Sequence, residues 1–315
     1  MLVWITGAKG FIGQHLARHL AAQGHTVVGL GHGLWPDAAA QAGLSLWING
    51  AITGSNLNSL RLAHGLPELV VHLAGGSSVS VAMANPLEDF SRTVASTAAL
   101  LEWLRQESPQ SRLVVVSSAA VHGGGHDGRI AETAPLRPFS PYGYHKLMME
   151  QLCRSYGENY GLPCVALRLF SVYGPGLRKQ LLWELCQRMA GTPSALELSG
   201  TGLELRDWMH IDDVVRVIDA TSGLAAAAVP TFNVGTGTAT PVRDIARIAI
   251  NAYGESSAGR ELRFNGSKRA GDPFSLVADP ARLQALGFEF RVPLHEGIAG
   301  YVNWFRTQRG AGLGG

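Results

Sequence analysis

Hydrophobic residues along this chain fall into short unbroken runs separated by longer amphipathic stretches. The runs "LVWITG", "TVVGLG", "LVVHLAG", "RLVVVSSAA" and "PCVALRLF" are too short for core helices and rich in β-branched residues. Each predicts a strand buried on both faces. Around 11–23, 87–106 and 142–160 the apolar positions recur at helical spacing, which predicts helices. Strand and helix alternate through the first half, so the pattern predicts an α/β protein with a doubly wound parallel sheet, a Rossmann fold. After residue 175 the texture changes to turns, helices and isolated charges, as in "GTGLELRDWMHIDDVV" and "KRAGDPFSLVADPARLQALGF". The expected organisation is a dinucleotide-binding domain over 1–175, a smaller carboxyl-terminal substrate lobe over 176–310 with some segments returning to the first domain, and a tail over 311–315.

Composition narrows this reading only slightly. With 315 residues, 46% of them hydrophobic and 16% charged, the chain can bury one large core with a smaller lobe attached. A formal net charge of +2 gives no electrostatic reason to expect nucleic acid or an acidic membrane surface. The three cysteines, Cys153, Cys164 and Cys186, show no metal-ligand spacing and fit a reducing compartment. The sequence shows no leader-like basic and apolar start and no run of about 20 apolar residues, so a cytoplasmic protein with no bound metal is expected.

Candidate chemistry begins at "TGAKGFIG", where Gly7, Gly10 and Gly13 lie between a predicted strand and a helix starting near Phe11 and Ile12. Glycines here let the backbone approach a pyrophosphate, whose charge the helix N-terminus stabilises. The second strand ends in "GLGHG", where a chain selective for NAD would present an acid to the ribose hydroxyls. Gly31 stands there instead. Without that carboxylate nothing repels the 2′-phosphate of NADP, and Lys9 and His32 can supply a cation and a donor. Both also read as ordinary solvated loop residues. The expectation is NADP, with NAD possible. Ala51 stands where an Asp would commonly meet the adenine amine.

In "SPYGYHKLMME" Tyr142 and Lys146 are four apart in a helical segment, hence on one face. An ammonium beside a phenol favours the phenolate, so Lys146 is expected to lower the Tyr142 pKa and make it a general acid or base. Ser117 and Ser118 end the strand just upstream, positioned to offer a hydroxyl.

These motifs, together with "VVHLAG", "SSAAVHG", "LRLFSVYGPG", "RDWMHIDDVV", "NVGTG" and "RAGDP", make the chain resemble an extended short-chain dehydrogenase/reductase of the nucleotide-sugar epimerase, dehydratase and ketoreductase family. The resemblance implies a Ser118, Tyr142 and Lys146 triad acting on a sugar hydroxyl or ketone beside the nicotinamide. It places Gly7, Lys9, Gly10, Phe11, Ile12, Gly13, Gly31, His32, Ala74, Tyr142 and Lys146 on the cofactor. It places Ser118, Ser171, Arg206, Arg269 and Asp272 on the nucleotide sugar. Arg206 also suits a diphosphate on its own chemistry, since a guanidinium fork fits phosphate oxygens, although a salt bridge with Asp207 or Asp212 would occupy it equally well.

Several positions depart from the family pattern. Ala119 and Ala120 stand where a 4,6-dehydratase would carry an acid and a base, which argues against elimination of water. Ser171 and Thr93 replace frequent asparagines, and His122 a frequent tyrosine. The function expected is NADPH-dependent C4 reduction of a nucleotide-linked 4-keto-6-deoxyhexose. A nucleotide-sugar 4-epimerase of the UDP-hexose type, using the same triad, is the alternative, and a non-catalytic dinucleotide-binding protein a minor one. The resemblance also implies a homodimer packed through helices near 93–106 and 142–160.

Overall fold

The predicted runs become strands of one parallel sheet. The structure is a computed structural model that describes residues 1–35, 43–191, 195–254, 261–267 and 273–310. Strands β1 (Leu2–Thr6), β2 (Thr26–Gly31), β3 (Leu46–Asn49), β4 (Leu69–His72), β5 (Arg112–Ser118) and β6 (Cys164–Leu169) are joined by a seventh strand, Thr231–Val234. Their order is Thr231–Val234, β6, β5, β4, β1, β2, β3. Val3 of β1 pairs in register with Val27 on one side and Leu69 on the other. The chain runs outward from β1 to β3 and then returns past β1 to begin β4, so the winding reverses between β1 and β4. Ligands of such sheets bind beyond the carboxyl ends of the strands at that reversal.

Helices cover the sheet because its strands are apolar on both faces. They are α1 (Phe11–Ala22), α2 (Gly54–His64), α3 (Val79–Ala84), α4 (Pro86–Phe90), α5 (Ser96–Glu107) and α6 (Pro141–Tyr160). The single helix expected over 87–106 is divided. A π-helical turn, Ser91–Ala95, separates α4 from α5, and such a turn re-aims the side chains that follow it. The start of α6 is fixed locally: Ser140 Oγ accepts from Gly143 N at 3.2 Å and Pro141 occupies the first turn, where its missing N–H costs nothing. Gly161 ends the helix at φ +71°, a left-handed conformation suited to glycine. Beneath these helices Trp4, Val28, Leu100, Trp103, Leu113 and Met149 belong to a buried apolar cluster, with the Trp4 and Trp103 rings 5.2 Å apart.

The chain forms two compact units. The first comprises 1–123, 132–169 and 214–234; the second comprises 124–131, 170–213 and 235–315. Relative to the expected boundary, the first unit yields 124–131 and 170–175 and takes in 214–234, whose strand Thr231–Val234 pairs with β6. The second unit holds short strand pairs: Ser171–Tyr173 with Trp208–His210, and Ala195–Leu198 with Glu261–Phe264. Asp207 organises it from within, accepting from the backbone N–H groups of Thr236, Gly237 and Ala278 and from the Thr236 hydroxyl at 2.8–3.1 Å. Among the described residues no helix is long and apolar enough to cross a membrane. None of their His, Cys, Asp and Glu side chains forms a group able to hold a metal ion. The tail over 311–315 lies outside the described residues.

Candidate active site

Beyond the carboxyl ends of β1, β4 and β5 three pieces of backbone are held close together. Gly7 has φ +74°, and a Cβ there would lie 2.8 Å from Ala74 N. A Cβ on Gly13 would meet Gly7 O at 2.5 Å. Both glycines are therefore required by the close approach of backbone to backbone. Helix α1 begins at Gly10 with no side-chain cap, so the first-turn N–H groups at Phe11, Ile12 and Gly13 face outward at the positive end of the helix. That is a cradle for a pyrophosphate, and the residues present fit a dinucleotide.

At the end of β2 the structure explains the missing acid in a way the sequence did not show. Gly31 is buried, and a Cβ there would lie 3.1 Å from the Trp47 ring and 3.4 Å from Gly7. Trp47, on β3 and edge-on to Trp35 at 5.1 Å, occupies the flank where a larger residue 31 would go. Lys9 Nζ donates to Leu34 O at 2.5 Å, and Gly33 N donates to Asn49 Oδ1 at 2.9 Å. Lys9 thus ties the glycine turn to the loop after β2, while His32 is exposed. Ala51 is also exposed and offers only its carbonyl, to Asn56 Nδ2.

The proposed catalytic side chains converge at the start of α6. Ser118 ends β5; its Oγ accepts from Ala120 N at 3.2 Å, and its hydroxyl is near enough to the Tyr142 phenol to favour the ionised form. Lys146 is 4% exposed. Its ammonium donates to Val116 O at 2.9 Å and lies 6.0 Å from the centre of the Tyr142 ring. Burial brings the Lys146 pKa down to about 8 against the raising effect of Asp89 and Glu150. The expectation that Lys146 lowers the Tyr142 pKa is not met. Burial pushes the phenol up, Asp89 adds to this, and the Ser118 hydrogen bond opposes it only in part. Desolvation outweighs one hydrogen bond here, so the resting phenol is protonated.

Surrounding residues hold this arrangement. His72, fully buried at the end of β4, bridges Thr6 Oγ1 at 2.7 Å and Thr97 Oγ1 at 3.0 Å. Burial and the nearby Lys146 bring its pKa down to about 3, so it is a neutral strut. Thr93, presented by the π-helical turn, accepts from Gly76 N at 2.8 Å and so pins the loop after β4. Glu150 is clamped by Arg168 at 2.8 and 3.0 Å and accepts from Ser117 Oγ at 2.6 Å. His122 bonds Asn233 at 3.1 Å in the interior, a structural role.

With that geometry in place, kinship can be tested. The model of the NAD dependent epimerase/dehydratase family matches residues 3–235. The chain belongs to this family. It is an extended short-chain dehydrogenase/reductase, and family membership makes it an enzyme of NAD(P)-dependent nucleotide-sugar chemistry. A UDP-glucose 4-epimerase of Mycolicibacterium smegmatis is 31% identical over 319 residues, covering 98% of this chain and 99% of its own. MoeE5, solved with UDP-glucuronic acid and NAD, is 34% identical with a TM-score of 0.83, covering 98% of this chain and all of its own. The UDP-glucuronic acid 4-epimerase of Bacillus cereus, also solved with its nucleotide sugar and NAD, is 26% identical with a TM-score of 0.86, covering 98% and 99%.

Of the residues that the family resemblance assigned to the nucleotide sugar, Ser171 and Arg206 belong to the second unit. Ser171 opens the strand Ser171–Tyr173 and donates its N–H to Asp207 O at 3.0 Å. Arg206 lies in the strand Leu205–Arg206 and is half-buried, one of its guanidinium nitrogens donating to Leu205 O at 2.8 Å and Phe274 O at 3.1 Å. Asp207, a candidate salt-bridge partner, is engaged by the 236–237 turn and Ala278. Arg269 and Asp272 lie outside the described residues. Sequence reasoning missed Asp89, Trp47 and His72 as parts of this region. Only His72 left a trace in the sequence, as a polar residue inside an otherwise apolar strand.

Proposed function

We propose that this protein is a nucleotide-sugar 4-epimerase acting on a UDP-linked hexose or hexuronic acid. The observation that carries the reading is the intact Ser118, Tyr142 and Lys146 cluster with Ala119 and Ala120 beside it, in a chain with full-length relatives that include named 4-epimerases. Elimination of water would need an acid and a base at the two alanines, and neither methyl group can serve. Reduction of a 4-keto sugar, the function first expected from the cofactor loop, uses the same triad but finds less support in these relatives.

Bound NAD or NADP would supply the oxidant for the C4 carbon and then the reductant for its opposite face. With the oxidised cofactor's positive charge beside it, Tyr142 would act as the phenolate: it takes the C4 hydroxyl proton during oxidation, holds it as the phenol and returns it during reduction, so no proton is consumed. Ser118 steadies the sugar oxygen, and Lys146 stabilises the phenolate from which Tyr142 starts and to which it returns. Interconversion of UDP-glucose with UDP-galactose, or of the corresponding uronic acids, measured by chromatography, tests the reading. Absence of both conversions in folded, cofactor-loaded protein would oppose it.

The relatives solved with a cofactor carry NAD, and NAD is the proposed resident cofactor. Without an acid at position 31 the site should also accept NADP. The dissociation constants of NADH and NADPH should lie within about tenfold of each other. Lys9→Ser should weaken NADPH alone by about tenfold, the loss of one charge-assisted contact. Fluorescence titration checks both, and a hundredfold preference of the parent for NADH would contradict the reading. Gly31→Asp, a direct probe by charge, also has to displace Trp47.

The proposed assembly is a homodimer. In the first unit Val81 and Met83 of α3, Leu87 and Phe90 of α4, and Tyr144 and Met148 of α6 are exposed, Leu87 by 78%. Neighbouring large apolar side chains on adjoining helices mark an association surface. The proposed contact lies on α3, α4 and α6, whereas the family resemblance implies the helices near 93–106 and 142–160. Light scattering should show a dimer at micromolar concentration, converted to monomer by Leu87→Asp combined with Met148→Glu.

A further inference from the structure

Two buried carboxylates lie near the Lys146 ammonium, and they differ in what already neutralises them. Glu150, one turn along α6, is bound bidentately by Arg168 and further by the Ser117 hydroxyl. Asp89, at 3% exposure the penultimate residue of α4, meets no arginine or lysine. Its Oδ2 accepts from His145 Nδ1 at 2.5 Å, while its Oδ1 is buried with no hydrogen-bond partner.

The loop after β4 brings this carboxylate toward the catalytic helix. A Cβ on Gly75 would lie 3.4 Å from Lys146 Nζ, and a Cβ on the next residue, Gly76, would overlap Asp89 Oδ1. Consecutive glycines are thus flanked by the ammonium and by the carboxylate. Lys146 donates its hydrogen bond to Val116 O and not to Asp89, so the two charges act through space. His145, immediately before Lys146, is pressed between Asp89 and the edge of Phe90, with ring centres 5.6 Å apart.

We propose that Asp89 and His145 are positioning residues for the Tyr142 and Lys146 couple: Asp89 supplies a negative charge, paired with no arginine or lysine, that keeps Lys146 an ammonium, and His145 fixes that carboxylate in place. The inference rests on the reading of Tyr142 and Lys146 as the catalytic pair. The ionisable groups around Lys146 are His72 from β4, Asp89 from α4, Arg168 from β6, and Tyr142, His145 and Glu150 from α6 itself. His72 is neutral and Glu150 is paired, which leaves Asp89 as the net counter-charge. The same carboxylate opposes ionisation of Tyr142. Removing its charge therefore shifts both titrations toward lower pH: less charge holds the proton on Lys146, and less repulsion resists the phenolate.

The chain has only four lysines, Lys9, Lys146, Lys179 and Lys268, so the full-length protein labelled with [ε-13C]lysine reports Lys146 as one of four resonances, assigned with Lys146→Arg. In Asp89→Asn, which keeps the shape and an acceptor for His145, the Lys146 titration should move down by about one pH unit. Both limbs of the kcat against pH profile should move the same way. His145→Asn, which keeps an N–H donor facing Asp89, should leave the Lys146 titration at its parent value. An unmoved Lys146 resonance in Asp89→Asn, or a shift of about one unit in His145→Asn, overturns the proposal. If Asp89→Asn fails to fold, His145→Phe, which removes the donor that fixes the carboxylate, takes its place: the Lys146 titration should move down, and an unmoved resonance overturns the proposal. A displaced Lys146 titration with an unmoved kcat profile would leave the electrostatic assignment intact and instead remove Tyr142 and Lys146 from the catalytic role.

Discussion

Tyr142→Phe is expected to lower kcat by about 10²- to 10⁴-fold, the range spanned by loss of one positioned proton donor. The ring and its packing at the start of α6 stay, and only the hydroxyl beside Ser118 is lost. Cofactor affinity and unfolding free energy should therefore change little. The effect is large because, in the proposed epimerisation, C4 oxidation and C4 reduction both pass the same proton through this one oxygen. Steady-state kinetics beside a cofactor titration separates the two readouts. Retention of most turnover would show that the proton moves by another route.

Gly13→Val is expected to destroy the cofactor site by a purely steric route. The added Cβ would lie 2.5 Å from Gly7 O and 2.6 Å from Ala8. These are backbone atoms in a turn whose conformation is set by Gly7 at φ +74°. No rotamer change relieves that overlap, so α1 must move off the turn and carry its unpaired N–H groups with it. Overpacking of this kind costs about 1–3 kcal/mol of stability, and cofactor binding should fall more than about a hundredfold. Gly10→Ala is the control, since a Cβ there meets only Gly7 O at 3.0 Å and should cost less in both respects. Denaturant unfolding with cofactor titration checks the pair, and equal effects of the two substitutions would contradict the steric account.

What the sequence made legible is what local pattern encodes. Unbroken apolar runs become the parallel strands because both faces of each are covered. The glycine turn is recognisable because strand and helix flank it. Tyr142 and Lys146 share a face because they are four apart in a helix. The rest depends on residues brought together across the fold. Trp47 closes the flank of Gly31 from another strand, so the missing acid at the end of β2 reflects packing as well as charge. The π-helical turn that presents Thr93 leaves no periodic trace. The Tyr142 pKa is a balance of burial, Ser118 and Asp89, drawn from three elements, so the nearby lysine alone predicted the wrong direction.

The central claim is that C4 is oxidised and then reduced within one catalytic cycle, with nothing lost to solvent. UDP-glucose deuterated at C4, and UDP-glucuronic acid labelled in the same way, test it most directly. The account predicts that the 4-epimer formed from at least one of them retains the deuterium at C4, with no net formation of reduced cofactor, as read by NMR and mass spectrometry. Turnover of neither sugar, combined with stoichiometric consumption of NADPH on a nucleotide-linked 4-keto sugar, would contradict it and establish a reductase instead.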